Sequence, residues 1–153
     1  MQVIRSVGRW TSIAVLGLLA MPAVRAESKL PLGQVLADYN AAWGERDAAR
    51  RGALLERAWS ERGTYTDPQA HVEGRAALVS HIGLVQPRLP AGTRGVIVSA
   101  PDVHHGVFRF AWEFRDGKGA LFMKGEDFGE LDEDGRIRRI FGFFGDLLPA
   151  TKL

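Results

Sequence analysis

The stretch Phe108-Arg109-Phe110-Ala111-Trp112-Glu113-Phe114-Arg115 decides the fold class of this chain. Aromatic residues fill every second position, which is the period-two pattern of a strand with one buried face. Two turns rich in Asp and Gly follow, at 116–119 and 132–135, and each leads into a further β-like stretch, 120–131 and 137–144. Because turns of this composition join antiparallel strands, we predict an antiparallel meander in the last third of the chain.

Upstream of the meander the apolar residues recur at helical spacing. We predict three helices, one beginning after Pro31, one capped by Asp47 and one beginning at Gly74. A short β-favouring run at 63–66 and the turn Asp67-Pro68 separate the second helix from the third. Helices first and strands last indicate an α+β domain rather than a parallel α/β sheet. The apolar residues assigned to the second helix are Leu54, Leu55, Ala58 and Trp59.

Residues 1–26 have the pattern of a cleavable export signal. Arg5 and Arg9 precede a short apolar run, 13–21, and small residues lead up to Ala26. The run is about half as long as the roughly 20 residues that a membrane-spanning helix needs. We therefore expect cleavage after Ala26, a periplasmic or secreted location, and no membrane association of the mature chain at 27–153, whose folded core we place at about 32–149.

Removal of the signal changes the charge of the chain. The whole sequence has 20 basic and 18 acidic side chains, and three arginines but no acids lie in residues 1–26, so the mature part has a net charge of −1. A nucleic-acid-binding surface needs concentrated positive charge, and we expect no nucleic-acid partner. The chain has no cysteine, so its stability depends on a packed core rather than on disulfides.

Asp127 is the first candidate for chemistry. Strand periodicity places it on the face of Leu121, Met123 and Leu131, opposite Lys124. A carboxyl on an apolar face tends to take up a proton or to find a partner, which makes it a candidate site residue. An Asp near a strand end that reaches solvent or a backbone amide is the alternative, and the pattern does not decide between them.

Three further polar residues have both a structural and a functional interpretation. Asp67 before Pro68 is typical of a turn, Tyr39 lies on the apolar face of the first helix, and His81 lies on that of the third. His104 and His105 begin a strand, where adjacent side chains point to opposite faces. Metal-ligand spacing, phosphate-binding loops and nucleophile elbows do not occur in the sequence, and we expect neither a metal nor a cofactor.

The chain resembles a known superfamily in the order and spacing of five motifs. It is similar to the nuclear transport factor 2-like superfamily, and most to its SnoaL-like polyketide cyclase and ketosteroid isomerase branch. The resemblance implies a cone-shaped fold in which a curved antiparallel sheet packs against three N-terminal helices around an apolar pocket. The motifs are Val35-Leu36-Ala37-Asp38-Tyr39-Asn40-Ala41-Ala42-Trp43, Tyr65-Thr66-Asp67-Pro68, Gly74-Arg75-Ala76-Ala77-Leu78, Gly125-Glu126-Asp127-Phe128 and Gly142-Phe143-Phe144-Gly145.

The resemblance also implies roles for the catalytic candidates Tyr39, Asp67 and Asp127. In the isomerases the matching residues are an oxyanion hydrogen-bond donor, a proton-shuttling base and a neutral second donor, a case whose protonated Asp is a standard illustration of pKa tuning. The isomerases place a further tyrosine on the third helix, where this chain has His81.

Three functions follow as hypotheses. The first is a cofactor-independent isomerase or cyclase in which Asp67 moves a proton on a small hydrophobic carbonyl compound while Tyr39 and Asp127 stabilise the enolate. The second is an exported protein that binds a small hydrophobic molecule without turnover. The third is a structural or interaction subunit, a homodimer paired through its sheet. The side chains assigned to ligand binding are His81, Phe110, Trp112, Phe114, Met123 and Phe144.

Overall fold

The computed structural model describes residues 29–152, so the predicted export signal lies outside the described residues. Three helices form one layer: α1 (Leu32–Gly44), α2 (Ala48–Ala58) and α3 (Arg75–Val85), and α3 continues into a 3₁₀ turn, Gln86–Arg88. The predicted cap of α2 is present, because the Asp47 carboxylate accepts a hydrogen bond from the Arg50 amide at 2.8 Å. No helix in this part of the chain is long and apolar enough to cross a membrane.

Within residues 29–152 seven strands form one sheet against the helices. They are β1 (Trp59–Asp67), β2 (Ala70–Glu73), β3 (Arg94–Ile97), β4 (Asp102–His104), β5 (Val107–Arg115), β6 (Leu121–Leu131) and β7 (Ile137–Phe144). Their order is β2-β1-β7-β6-β5-β3, with β4 paired to β5 beside β3. The predicted α+β class and the meander β5-β6-β7 are confirmed.

One strand pair differs from the expected antiparallel arrangement, since β1 runs parallel to β7. A tight turn forces only consecutive strands to be antiparallel. Strand β1 instead enters the sheet directly from α2, far from β7 in the chain, so no turn fixes their relative direction. The sheet is therefore mixed, with every other pair antiparallel.

Trp59 belongs to β1 rather than to the second helix, where its apolar spacing had placed it. The side chain is fully buried and its ring stacks on Tyr39, with centroids 5.7 Å apart. A bulge between Trp59 and Thr64 makes room for the indole over Gly63. A buried residue at a helix–strand junction satisfies both periodicities, which is why spacing alone assigned it to the helix.

Strand β2 was not predicted, because its four residues lack an apolar run. It pairs with β1 through the two-residue turn Pro68-Gln69. The predicted turn at Asp67-Pro68 is therefore the bend of a β-hairpin, and it places Asp67 at the end of β1.

The buried side chain of Arg51 joins the three helices. Its guanidinium donates to the carbonyl oxygens of Val79 at 2.9 Å and Glu45 at 2.7 Å. The Gln86 side-chain amide donates to the carbonyls of Trp43 and Glu45, both at 2.9 Å. The bonds to Trp43 and Glu45 satisfy carbonyls at the carboxyl end of α1, which no helical amide reaches.

Candidate functional site

Asp127 lies on the inward face of β6, and its side chain is 5% exposed. Alternate residues of this strand, Gly125, Asp127 and Gly129, face inward, so that a single carboxyl projects between two glycines. A Cβ at Gly125 would overlap the Trp112 ring, and one at Gly129 would overlap Phe108. The glycines therefore make room for aromatic rings from β5, and these rings exclude water from the carboxyl.

Two neutral donors hold this carboxyl. The Trp112 indole nitrogen donates to Asp127 Oδ1 at 2.8 Å, and the Tyr39 hydroxyl lies 3.3 Å from Oδ2. Burial raises the pKa of Asp127 from 3.8 to about 7, although both hydrogen bonds act to lower it. Because the pKa lies near neutrality, the group can both accept and return a proton at physiological pH.

Tyr39 is placed by the apolar face of α1 and is buried among aromatic rings. Burial, with the nearby charge of Asp127 as the next cause, raises the pKa of the Tyr39 hydroxyl well above 10, so the hydroxyl keeps its proton. Its 3.3 Å contact with Asp127 is longer than an ordinary O–H···O bond. The hydroxyl can therefore turn toward an oxygen of a bound molecule.

Asp67 lies at the end of β1, where its carboxylate accepts three hydrogen bonds. Oδ1 accepts the amides of Gln69 and Ala70, both at 2.7 Å, and Oδ2 accepts the Tyr65 hydroxyl at 2.8 Å. The two amide bonds are those of a turn-forming Asp. Burial is the main cause that raises the pKa of Tyr65, which therefore stays protonated and donates.

The two carboxyls lie on either side of Gly142 in β7. A Cβ built at Gly142 would lie 3.2 Å from Asp127 Oδ1 and 3.6 Å from Asp67 Cβ. This closeness follows from the sheet order, since β7 lies between β1 and β6. The glycine thus allows Asp127 to approach β7 closely, since a side chain at this position would crowd the carboxyl.

A cavity of about 310 Å³ opens beside these groups, between the helices and the inner face of the sheet. All nine residues predicted for the site lie in its wall: Tyr39, Asp67, His81, Phe110, Trp112, Phe114, Met123, Asp127 and Phe144. This is a volume at the small end of the range for ligand sites.

The histidines divide between cavity and surface. His81 is in the cavity wall, and its buried Nε2 has no hydrogen-bond partner within residues 29–152. His104 and His105 are exposed at the turn between β4 and β5, outside this cavity. In the described part of the chain no group of three His, Asp or Glu side chains is arranged to hold a metal ion.

Sequence reasoning missed several residues of the wall, chiefly Tyr65 and Arg88. Tyr65 could have been found, because it stands two positions before Asp67 and so shares its face of the strand. Arg88 carried no such signal, because it lies in the irregular segment after α3. The other lining residues not predicted are Asn40, Trp43, Gln69, Ala70, Val85, Leu89 and Phe122.

The chain is similar in fold to several solved structures. A candidate isomerase of the SnoaL-like family from Agrobacterium tumefaciens is 33% identical over 73% of this chain and 95% of its own, with a TM-score of 0.68. A protein with a ketosteroid isomerase-like fold from Catenulispora acidiphila, solved in complex with trimethylamine, is 12% identical over 73% of this chain and 85% of its own, with a TM-score of 0.58.

A third similar structure is a candidate polyketide cyclase from Sinorhizobium meliloti. It is 14% identical over 74% of this chain and 94% of its own, with a TM-score of 0.56. No protein-family model and no curated protein sequence matches the chain. At these identities the second and third structures support the fold alone, whereas the Agrobacterium protein is similar in sequence along nearly its whole length.

Proposed function

The chain belongs to the SnoaL-like family, and on that premise we propose that it catalyses proton transfer on a small apolar carbonyl compound without a cofactor. The observation that carries the proposal is the carboxyl of Asp127. It is buried in the wall of a mostly apolar cavity, is held by two neutral donors and has a pKa raised to about 7. A base of that strength is close to half ionised at neutral pH, which is the condition for shuttling a proton.

The reaction follows from the placement of two groups. The Asp127 carboxylate takes a proton from the carbon next to the carbonyl of the substrate. The electron pair of that C–H bond forms the C=C bond of the enolate, and the π pair of the carbonyl moves to its oxygen. The Tyr39 hydroxyl donates a hydrogen bond to the oxygen of the resulting enolate. Protonated Asp127 then returns the proton to another carbon, which completes an isomerisation. Loss of one such donor lowers rates by about 10²–10³.

This division of labour differs from the one that the resemblance implies for Asp67. That carboxylate already accepts three hydrogen bonds, two of them from the backbone of the turn. In our proposal Asp67 fixes the hairpin and the position of Tyr65, while Asp127 carries the proton. The alternative, in which Asp67 carries the proton, remains a prediction, and the exchange experiment described next tests it as well.

Deuterium exchange into 2-tetralone tests the proposal without knowledge of the natural substrate. This two-ring ketone has acidic hydrogens next to its carbonyl, and their exchange in D₂O, followed by NMR, reports proton abstraction alone. We expect Asp127→Asn to lower the catalysed rate by about 10²-fold or more and Asp67→Asn to retain most of it. Full activity in Asp127→Asn, or its loss in Asp67→Asn alone, would contradict the assignment.

A binding protein without turnover is the alternative. Its signature would be binding of 2-naphthol, the aromatic counterpart of the 2-tetralone enol, together with an exchange rate no higher than that of buffer. In that outcome the cavity would still hold small apolar molecules, but Asp127 would only orient them.

We also propose that residues 1–26 direct the chain out of the cytoplasm and are then removed. The proposal is supported by the two arginines, the short apolar run and the small residues before Ala26. The protein recovered from a periplasmic or culture fraction should begin at Glu27 by intact mass. A recovered chain that retains Met1 would contradict it.

The outer face of the sheet supports a proposed homodimer. Phe128, Phe141 and Phe143 are 39%, 40% and 59% exposed there, and the Arg139 guanidinium lies 5.8 Å from the Phe141 ring. Exposed aromatic clusters of this kind mark interaction surfaces. Light scattering should give the mass of two chains for the wild type and of one chain for Phe143→Glu. A monomeric wild type at micromolar concentration would contradict the proposal.

A further inference from the structure

The mouth of the cavity contains one cationic side chain, Arg88. Among the described residues it is the single Arg or Lys in the wall of this cavity, and it is exposed at the end of the 3₁₀ turn Gln86–Arg88. Among residues 29–152 no carboxylate lies within ion-pair distance of its guanidinium, and it donates no hydrogen bond within that range. Most other arginines of the described chain are paired, for example Arg57 with Asp38 at 2.8 Å and Arg109 with Asp102 at 3.2 Å.

The backbone beneath Arg88 is fixed. The Gln86 side chain holds the turn to the end of α1 through its two bonds to the Trp43 and Glu45 carbonyls. The Leu89 amide closes the turn onto the Gln86 carbonyl at 3.2 Å, and Pro87 restricts the residue between them. The guanidinium therefore projects from a defined position at the mouth.

The wall of this cavity is mainly apolar. Leu89, Val85 and Phe114 belong to it, and they offer no partner to a charged group. Asp67 and Asp127, the two carboxyls of the wall, already accept hydrogen bonds from neutral donors. The cavity thus combines a buried carboxyl, Asp127, with an exposed cation, Arg88, and an apolar span formed by residues such as Leu89, Val85 and Phe114.

We infer that the molecule bound here carries a carboxylate on the end away from its reacting carbon, and that Arg88 binds this carboxylate. A planar guanidinium binds a carboxylate through two parallel hydrogen bonds, and the apolar span accommodates the body of the molecule. The buried Nε2 of His81 in the same wall has no hydrogen-bond partner among the described residues, so it is a further polar atom that a ligand can bind. The inference rests on the proposed function only in naming which end of the molecule reacts.

Two matched probes test the inference, 2-naphthol and 6-hydroxy-2-naphthoic acid, which differ by one carboxylate across the ring system. Their binding is followed by fluorescence titration at pH 7 and low salt. The wild type should bind the acid about tenfold more tightly than the naphthol, the size expected of a charge-assisted pair at a partly exposed site. Arg88→Gln should remove that preference and leave naphthol binding within about twofold, and Arg88→Lys should retain part of it because the charge remains.

The matched control is Arg94→Gln. Arg94 is also exposed and makes no ion pair in the described part of the chain, but it begins β3 outside the cavity wall. The Arg94→Gln variant should bind both probes with the affinities of the wild type. Equal affinity of the wild type for the two probes, no binding of the acid, or equal loss of both probes in Arg88→Gln would each overturn the inference.

The two proposals fail separately. If the wild type exchanges 2-tetralone through Asp127 but shows no preference for the acid, the inference about Arg88 is wrong and the proposed function stands. If Arg88→Gln selectively weakens the acid while Asp127→Asn exchanges 2-tetralone at the full rate, the anionic ligand stands and the proposed proton transfer is wrong.

Discussion

The stability of Asp127→Asn relative to that of the wild type should increase as the pH rises. The pKa of Asp127 is raised from 3.8 to about 7 in the folded protein, while the unfolded chain has the ordinary value. Between about pH 4 and pH 7 the folded state therefore binds more protons than the unfolded state. The contribution of Asp127 to the free energy of unfolding of the wild type must then fall as the pH rises through this window.

The size of this change follows from the size of the pKa shift. A rise of about three units corresponds to about 4 kcal/mol, at 1.36 kcal/mol for each unit. Because the Asp127 side chain is 5% exposed, solvent screening reduces this figure little. The asparagine of the variant does not titrate, so the stability of the variant minus that of the wild type should increase by about 4 kcal/mol between pH 4 and pH 8.

Urea unfolding of both proteins, followed by circular dichroism at half-unit intervals of pH, measures the difference directly. Subtracting the two curves removes the titration of every group that they share. Glu126→Gln serves as the matched control, since it removes one carboxyl from the exposed face of the same strand. A difference between Asp127→Asn and wild type that stays constant within about 1 kcal/mol, or that falls with pH, would refute the reasoning.

Three further changes should have distinct outcomes. Trp112→Phe removes the 2.8 Å bond that lowers the pKa of Asp127, so the midpoint of the stability-against-pH curve should move to higher pH; a midpoint at lower pH would contradict this. Arg51→Met leaves buried carbonyls without their charged donor and should cost about 3 kcal/mol in urea unfolding; a loss below about 1 kcal/mol would mean that water replaces the guanidinium. Gly129→Ala forces a methyl group against the Phe108 ring and should lower the free energy of unfolding by about 1–3 kcal/mol, measured in the same way, whereas an unchanged midpoint would show that the ring has room to move.

The sequence predicted those parts of the molecule that depend on local periodicity. Alternation in β5 and β6 placed Trp112 and Asp127 on inward faces, and the Asp- and Gly-rich turns indicated that β5, β6 and β7 pair as antiparallel neighbours. The apolar face of α1 likewise placed Tyr39 inside. Each of these predictions needed only the spacing of residues within one element or across one tight turn.

Contacts between elements that are distant in the chain could not be predicted in the same way. The parallel pairing of β1 with β7 has no connecting turn to signal it, although it brings Asp67 beside Gly142 and Asp127. Nor could spacing show that Trp112 donates to Asp127, since that bond depends on how far each side chain extends across the strand pair. The resemblance to a family implied that Tyr39, Asp67 and Asp127 act in one site, and the structure gives the distances between their neighbouring groups.

The position of β7 in the middle of the sheet has a consequence for the order in which the chain can fold. Among the described strands β7 comes last in the chain, and it separates β1 from β6, so without it the sheet consists of two halves with open edges. Contacts between parts of a chain that are far apart in sequence form slowly, and the sheet cannot close until β7 has paired with both β1 and β6.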